Sequence, residues 1–308
     1  MLRFLARRLL IAIPTLILIA TLAFGLLHAT PGGPFDSAKQ INPVIQQSIE
    51  AKYHLNEPLW RQYLRYMNDL AHGDLGPSYQ YRGTSVNELI AQGIPVDATI
   101  GTLALVVSVL IGGLFGFLAA LRRNTAWDYV PMFVAVLGIS LPVFVVGPLL
   151  ILLFAVQLHW LPSGDWRAPW AAHLALPVFA LALPFTAYVA RMVRGAAIEV
   201  LTSPFIRTAR AKGLPTRTII LRHALRPVLT PVVSFLGPAF ASVLTGSIII
   251  ESVFGLPGIG RYFLTGAINR DYTLVVGVTV LYGVLIIVFN LLTDLCYAWI
   301  DPRVRLYS

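Results

Sequence analysis

Charge is scarce in this sequence. Only 12% of its 308 residues are Asp, Glu, Lys or Arg, against about 25% in an ordinary soluble domain. With 57% hydrophobic residues and a mean hydropathy of +0.74, the composition excludes a water-solvated globule and indicates lipid as the solvent. There is one cysteine, Cys296, so no intrachain disulfide can form; it sits in an apolar run and reads as a small helix-packing residue. No G-x-x-x-x-G-K-[ST] stretch occurs, so no nucleotide-binding P-loop is expected. The six histidines are scattered, with no H-E-x-x-H and no paired-ligand spacing, so no metal site is expected. Gly255–Gly260 is glycine-rich but lacks the dinucleotide spacing and reads as a turn-rich loop. No carboxylate pair is placed for acid–base work, and no catalytic residue is assigned. Acids number 14 against 23 bases, a net charge of +9. In a membrane chain that excess bears on topology rather than on nucleic acid.

What the sequence has in abundance is long apolar runs. Six stand out, at roughly 9–29, 96–121, 129–158, 174–193, 228–250 and 274–299. Each can cross about 30 Å of hydrocarbon. An all-α polytopic protein of about six transmembrane helices is predicted. The first run follows Arg3, Arg7 and Arg8 and resembles a signal peptide. Its length and the lack of a small-x-small site predict an uncleaved span. The third run is long enough to tilt or to hold an interfacial turn. The fourth carries Pro177 and Pro184, which predict a kink. Placing both termini in the cytoplasm puts fifteen of the 23 basic residues on that side, including Arg122, Arg123, Arg191 and Arg194. Most of the remainder lie in one long outer loop, where charge counts for little. The resulting organisation is a cytoplasmic tip and first helix over 1–30, an outer helical insertion over 31–95, a core over 96–300 and a cytoplasmic tail over 301–308.

The outer insertion shows helix starts at Asn42-Pro43 and at Asn56, the latter with Glu57 and Pro58 in its first turn. Leu59, Tyr63, Tyr66, Met67 and Leu70 then form one apolar face, and Gly73 and Gly76-Pro77 end the helix. That face suits packing on the membrane helices, or a surface for an external partner. Among polar residues at spans, Glu251 at the outer end of the fifth is a candidate gate or cavity-mouth residue, or else an ion-pair partner near the interface. Asn290 and Asp294 share one face of the last run, and Arg191 and Arg194 read as positive-inside anchors.

The loop over 195–226 carries the most specific pattern. Ser203-Pro204 reads as a hydroxyl cap followed by proline at the first helical position. Gly213 reads as the stop, with Arg210 and Lys212 in the last turn. The intervening helix presents Phe205, Ile206 and Ala209 on one side, and a basic helical stretch through Arg217, Arg222 and Arg226 follows. A helix that short needs support. Periodicity leaves two options open: a groove on another protein, or anionic headgroups.

The stretch Arg207-Thr208-Ala209-Arg210-Ala211-Lys212-Gly213, continuing to Arg222-His223-Ala224-Leu225-Arg226-Pro227, resembles the coupling loop of ABC importer permeases, in the version of the peptide-uptake family. It departs from the general family pattern at Arg207-Thr208, where Glu-Ala is usual, at His223 in the Ile position, and at Pro227, one residue late. Residues 50–58 and 73–78, Gly246-Ser247 to Glu251, Phe254–Gly260, Asn269-Arg270-Asp271-Tyr272 and Asp301-Pro302 extend the similarity over nearly the whole chain, closest to the oligopeptide B-type branch.

The resemblance implies a type I ABC importer permease fold and a bacterial inner-membrane location. It implies transport of oligopeptides from periplasm to cytoplasm. The implied partners are a second homologous permease, two cytoplasmic ATPases that bind ATP and Mg, a periplasmic peptide-binding protein, the peptide and membrane lipid; no cofactor is expected on this chain. Phe205, Ile206, Arg207, Thr208, Ala209, Arg210, Ala211, Lys212, Gly213 and Leu214 are the implied ATPase-coupling helix. Permeases for dipeptides, glutathione or nickel chelates are the near alternative. An ATP-independent secondary transporter is the distant one, disfavoured by the lack of an internal repeat or a mid-span carboxylate with a basic partner.

Overall fold

The computed structural model describes residues 2–30, 33–34, 51–168 and 170–300, with only the backbone at 2–7, 9 and 296–300. The Asn42-Pro43 helix start, the packing of Cys296 and the 301–308 tail lie outside the described residues or side chains. The helices are α1 (Leu2–Ala29), α2 (Leu59–Ala71), α3 (Val86–Leu121), α4 (Ala126–Ser140), α5 (Val143–Leu150, continued by a π-helical Ile151–Gln157), α6 (Trp170–Thr202), α7 (Pro204–Ala211), α8 (Leu225–Gly246, led in by a π-helical Ile219–Ala224), α9 (Ile248–Phe254), α10 (Ile259–Ile268) and α11 (Tyr272–Ile300). Among the described residues, five helical segments are long and apolar enough to span a membrane, and two interrupted helix pairs bring the number to as many as seven.

The third apolar run is where periodicity and structure part. It forms α4 and α5, which meet at 104°. Pro142 is the cause. It lacks an N–H and drives the preceding Leu141 out of the helical region, to φ −83°, ψ 120°. Hydropathy is continuous across this point, so composition does not mark the break. Pro177 and Pro184, by contrast, sit inside α6, which remains helical over 33 residues. At 1.5 Å per residue that is roughly 50 Å, well beyond the hydrocarbon thickness. Residues 195–202, expected in the loop, therefore prolong the span.

The chain divides into two compact units. In the first, Met1–Val96 with Pro257–Ile287, Val86, Leu89 and Ile90 pack against Ile259, Leu274 and Val278. A second cluster joins Ala20 of α1 to Val276 and Val280 of α11, with Tyr66, Met67 and Leu70 of α2 packed on it. Thr21 and the Tyr63 phenol share a 2.7 Å hydrogen bond. The apolar stripe of α2 is thus used internally at Tyr63, Tyr66, Met67 and Leu70, whereas Leu59 is exposed. Asn56 does not cap this helix. The helix begins at Leu59 with Pro58 as the flanking residue, because Pro58 is held extended at ψ 141°. The Gln62 amide instead donates to the Leu55 and Glu57 carbonyls.

Asp271, fully buried, ties the outer segment to the last helix. Its Oδ1 accepts from the Leu274 N–H at 3.1 Å and the Thr273 hydroxyl at 3.0 Å, and its Oδ2 from the Ser78 hydroxyl at 2.5 Å and the Gln80 N–H at 3.0 Å. With four donors on one carboxylate, a buried charge is satisfied at the N-terminus of α11. The same unit holds a cleft of about 300 Å3 lined by Phe24, His28, Arg65, Tyr66, Tyr79 and Tyr272 among others. Burial pushes the Tyr66 and Tyr79 phenols up, which keeps both neutral.

In the second unit, Asp97–Leu256 with Val288–Ser308, α3 and α6 approach closely. A Cβ placed on Gly112 would lie 2.5 Å from the Thr186 carbonyl oxygen, and one on Gly116 closer still to that of Ala190. This G-x-x-x-G pair lets two backbones touch where lipid offers no hydrophobic drive for association. The Ser108 hydroxyl donates to the Ala182 carbonyl across the same seam at 3.0 Å. Below it, Ala120, Val189, Val193, Ala197, Val228 and Val232 join α3, α6 and α8.

Candidate functional site

The short helix after α6 is built much as its residue pattern requires, with one exception. Pro204 opens it, where a missing N–H costs nothing. Ser203 flanks it at φ −64°, ψ 155°, but its hydroxyl does not cap α7. It donates backward to the Val200 carbonyl at 2.5 Å. Because α6 runs to Thr202, that carbonyl is one of the last of the preceding helix, and it also accepts from the Ser203 N–H at 3.1 Å.

The stop is a Schellman motif. Gly213 is left-handed at φ +72°. Its N–H donates to the Arg210 carbonyl at 2.9 Å, and the Leu214 N–H reaches the Ala209 carbonyl at 3.3 Å. These are the two bonds that define the motif. A Cβ on Gly213 would meet nothing within 4 Å, so the demand for glycine is conformational rather than steric.

The side of α7 expected to be uniformly apolar is divided. Ile206 (0% exposed) and Ala209 turn inward against Ile219 and Ala224, with Val200 and Leu201 beside them. Phe205 (48% exposed) and Leu214 are exposed, as are the basic residues Arg207, Arg210, Lys212 and Arg217 of the same segment. The helix is therefore clamped on both sides by its own chain, to the end of α6 and to the π-helical lead of α8, and leaves two apolar side chains exposed in a basic segment. The π-helical turn over Ile219–Ala224 bears Arg222 and His223, in the segment quoted for the family resemblance.

A buried ion pair lies two turns before this joint. Asp128, fully buried in the first turn of α4, accepts from Arg194 Nε at 2.5 Å and Nη2 at 2.8 Å, and from the Asn124 N–H at 3.0 Å. Arg194 is thus bound within the fold. Asp128 was not singled out by sequence pattern, although it is the one acid in the apolar run over 126–157 and follows Arg122-Arg123 closely. Glu251 lies in α9, completely buried, and its carboxylate accepts from the Ser247 hydroxyl. Asn290 and Asp294 are both half-buried on α11.

The family "Binding-protein-dependent transport system inner membrane component" matches residues 112–306. Its companion, "Binding-prot-dependent transport system membrane comp, N-term", matches residues 1–91. The oligopeptide transport system permease protein OppB of Escherichia coli (strain K12) is 51% identical over 305 residues, which cover 99% of this chain and all of that protein. OppB of Haemophilus influenzae is 50% identical over the same lengths. The dipeptide transport system permease protein DppB of Bacillus subtilis (strain 168) is 43% identical, covering 100% of this chain and 99% of the relative. Among solved structures, the MetNI methionine ABC transporter in an inward-facing conformation matches with a TM-score of 0.59 at 20% identity, over 69% of this chain and 96% of the other. That likeness concerns the fold, which is that of ABC importer permeases. Matched along nearly its full length, the chain belongs to the binding-protein-dependent transport system inner membrane components and is a multi-pass inner-membrane protein.

Proposed function

We propose that this chain is a permease subunit of an ABC importer for oligopeptides, energised by ATPase subunits that dock on Phe205–Leu214. The cargo follows the relatives, since the OppB proteins are named for oligopeptide transport and align end to end at about half identity. The observation that carries the mechanism is α7: a helix held rigidly by Ile206 and Ala209, with Phe205 and Leu214 left over for a partner. ATP and Mg belong on that partner. A second permease completes the pathway, a periplasmic binding protein delivers the peptide, and both termini of this chain are cytoplasmic.

Closure of the ATPases displaces α7. Because α7 is fastened to the ends of α6 and α8 through one apolar cluster, the displacement passes to those helices as a rigid-body movement rather than as local deformation. The Asp128–Arg194 pair carries it from α6 to α4. Nucleotide drives the cycle only through unequal affinity for the two states, so the docking contact must differ between them. Glu251 is proposed to act as a gate from inside the fold, where it is buried and its carboxylate is held by the Ser247 hydroxyl. A dipeptide cargo is the second reading, favoured by the B. subtilis relative.

A photoreactive residue at Phe205 tests the docking. Cross-linking to an ATPase subunit that weakens on nucleotide release is expected. Cross-linking to lipid alone would assign α7 to the headgroup layer instead.

A further inference from the structure

Two grooves flank the line along which α4 packs on α6. One, of about 290 Å3, is apolar, from Val107 and Val130 to Ala190. The other, of about 310 Å3, is lined by Asp128, Tyr129, Met132, Val136, Arg191 and Arg194. Its charges do not cancel. Asp128 is consumed by Arg194 and is fully buried behind it. Arg191 is exposed, and among the described residues neither it nor Arg122 or Arg123, in the turn before α4, has an ion-pair partner.

The level of this groove in the membrane can be read from the helices. Arg191 lies 21 residues beyond Trp170 on α6, roughly 32 Å along the axis and so about one hydrocarbon thickness away. At the same end, Trp127 is 58% exposed and carries the Arg122 guanidinium 4.8 Å from its ring, the kind of aromatic and basic pairing found at a membrane–water interface. From Tyr129 the groove runs along Met132 to Val136, seven residues or about 10 Å towards the hydrocarbon, and Tyr129 and Val136 are themselves well exposed.

We propose that this groove binds an anionic phospholipid of the cytoplasmic leaflet. The lipid phosphate accepts from the Arg191 guanidinium and the Tyr129 hydroxyl, and the start of an acyl chain lies along Met132 and Val136. The neutralised Asp128 does not repel the phosphate, and Arg122 and Arg123 add long-range attraction for a negative headgroup. Basic pockets between helices at the cytoplasmic face suit such headgroups, whereas free phosphate would gain nothing from the apolar floor. The site rests on the membrane placement of the chain and its orientation, not on peptide as cargo, so binding is measured without transport.

The full chain is purified in detergent and titrated with fluorescent phosphatidylglycerol, with phosphatidylcholine and inorganic phosphate as competitors. Arg191→Gln should weaken phosphatidylglycerol about fivefold, the effect of one basic residue at a membrane surface. Arg82→Gln, which removes an exposed charge far along the chain, should leave it unchanged. Tyr129→Phe should give a smaller loss than Arg191→Gln. Arg191 has no ion-pair partner among the described residues, so its variant should unfold at the wild-type temperature. Equal affinity of wild type and Arg191→Gln, equal affinity for phosphatidylcholine, or displacement of the lipid by inorganic phosphate at matching concentration would each overturn the proposal.

Discussion

Replacing Gly213 by valine perturbs the proposed coupling element at one backbone angle. Valine would have to hold φ near +72°. For an L-residue that conformation costs about 1–2 kcal/mol, and β-branching puts valine at the upper end. The alternative is to abandon the conformation and lose the bonds from Gly213 to Arg210 and from Leu214 to Ala209, each worth about 0.5–1.5 kcal/mol net. Either route penalises the last turn of α7 by roughly 2 kcal/mol, which is about a thirtyfold shift in a local equilibrium. An eight-residue helix has little reserve against that. The open space around the Gly213 Cβ position means that the spans are untouched, and insertion should persist. Peptide uptake by reconstituted vesicles should fall at least tenfold, with ATPase association falling in parallel. Gly213→Asn, which tolerates the left-handed region, should retain most of both. A well-expressed Gly213→Val chain with wild-type uptake would refute the reasoning.

Two further perturbations probe the helices behind α7. Asp128→Asn leaves Arg194 without its charge partner and should destabilise the chain by about 3 kcal/mol, read as a lower unfolding temperature in detergent; adding Arg194→Gln should recover part of the loss, whereas additive effects would contradict coupling between the two. Gly116→Val drives a side chain into the Ala190 backbone and should prevent α3 from seating on α6, seen as loss of the monodisperse peak in size exclusion, while Gly113→Val, whose Cβ meets nothing within 4 Å, should behave as wild type.

The membrane class and the span positions were legible because hydropathy is a sum over about 20 residues and tolerates local error. The stop of α7 was legible because Gly213 serves a backbone need that few other residues meet. Its start was half legible. Ser203-Pro204 marks a helix boundary, but which helix the hydroxyl serves depends on how far α6 extends, and that is a property of the preceding 33 residues. The length of the third run allowed for a turn, but its place at Leu141-Pro142 was not legible, because Pro177 and Pro184 occur in equally apolar sequence without interrupting their helix; only the surroundings decide whether a proline bends or breaks. Asp128 and Arg194 stand 66 residues apart, and nothing local announces that they meet. Gly112 and Gly116 did carry a readable spacing, whose meaning becomes plain only when α6 is laid against it.

The most direct test of the account is uptake of a labelled oligopeptide into vesicles holding this chain, its permease partner and the ATPases, with the binding protein outside. ATP, ADP and a proton gradient are compared as energy sources, and a dipeptide is run beside the longer peptide. The account predicts accumulation of the longer peptide only with ATP on the ATPase side and binding protein on the other. Accumulation driven by the gradient without ATPase would contradict it.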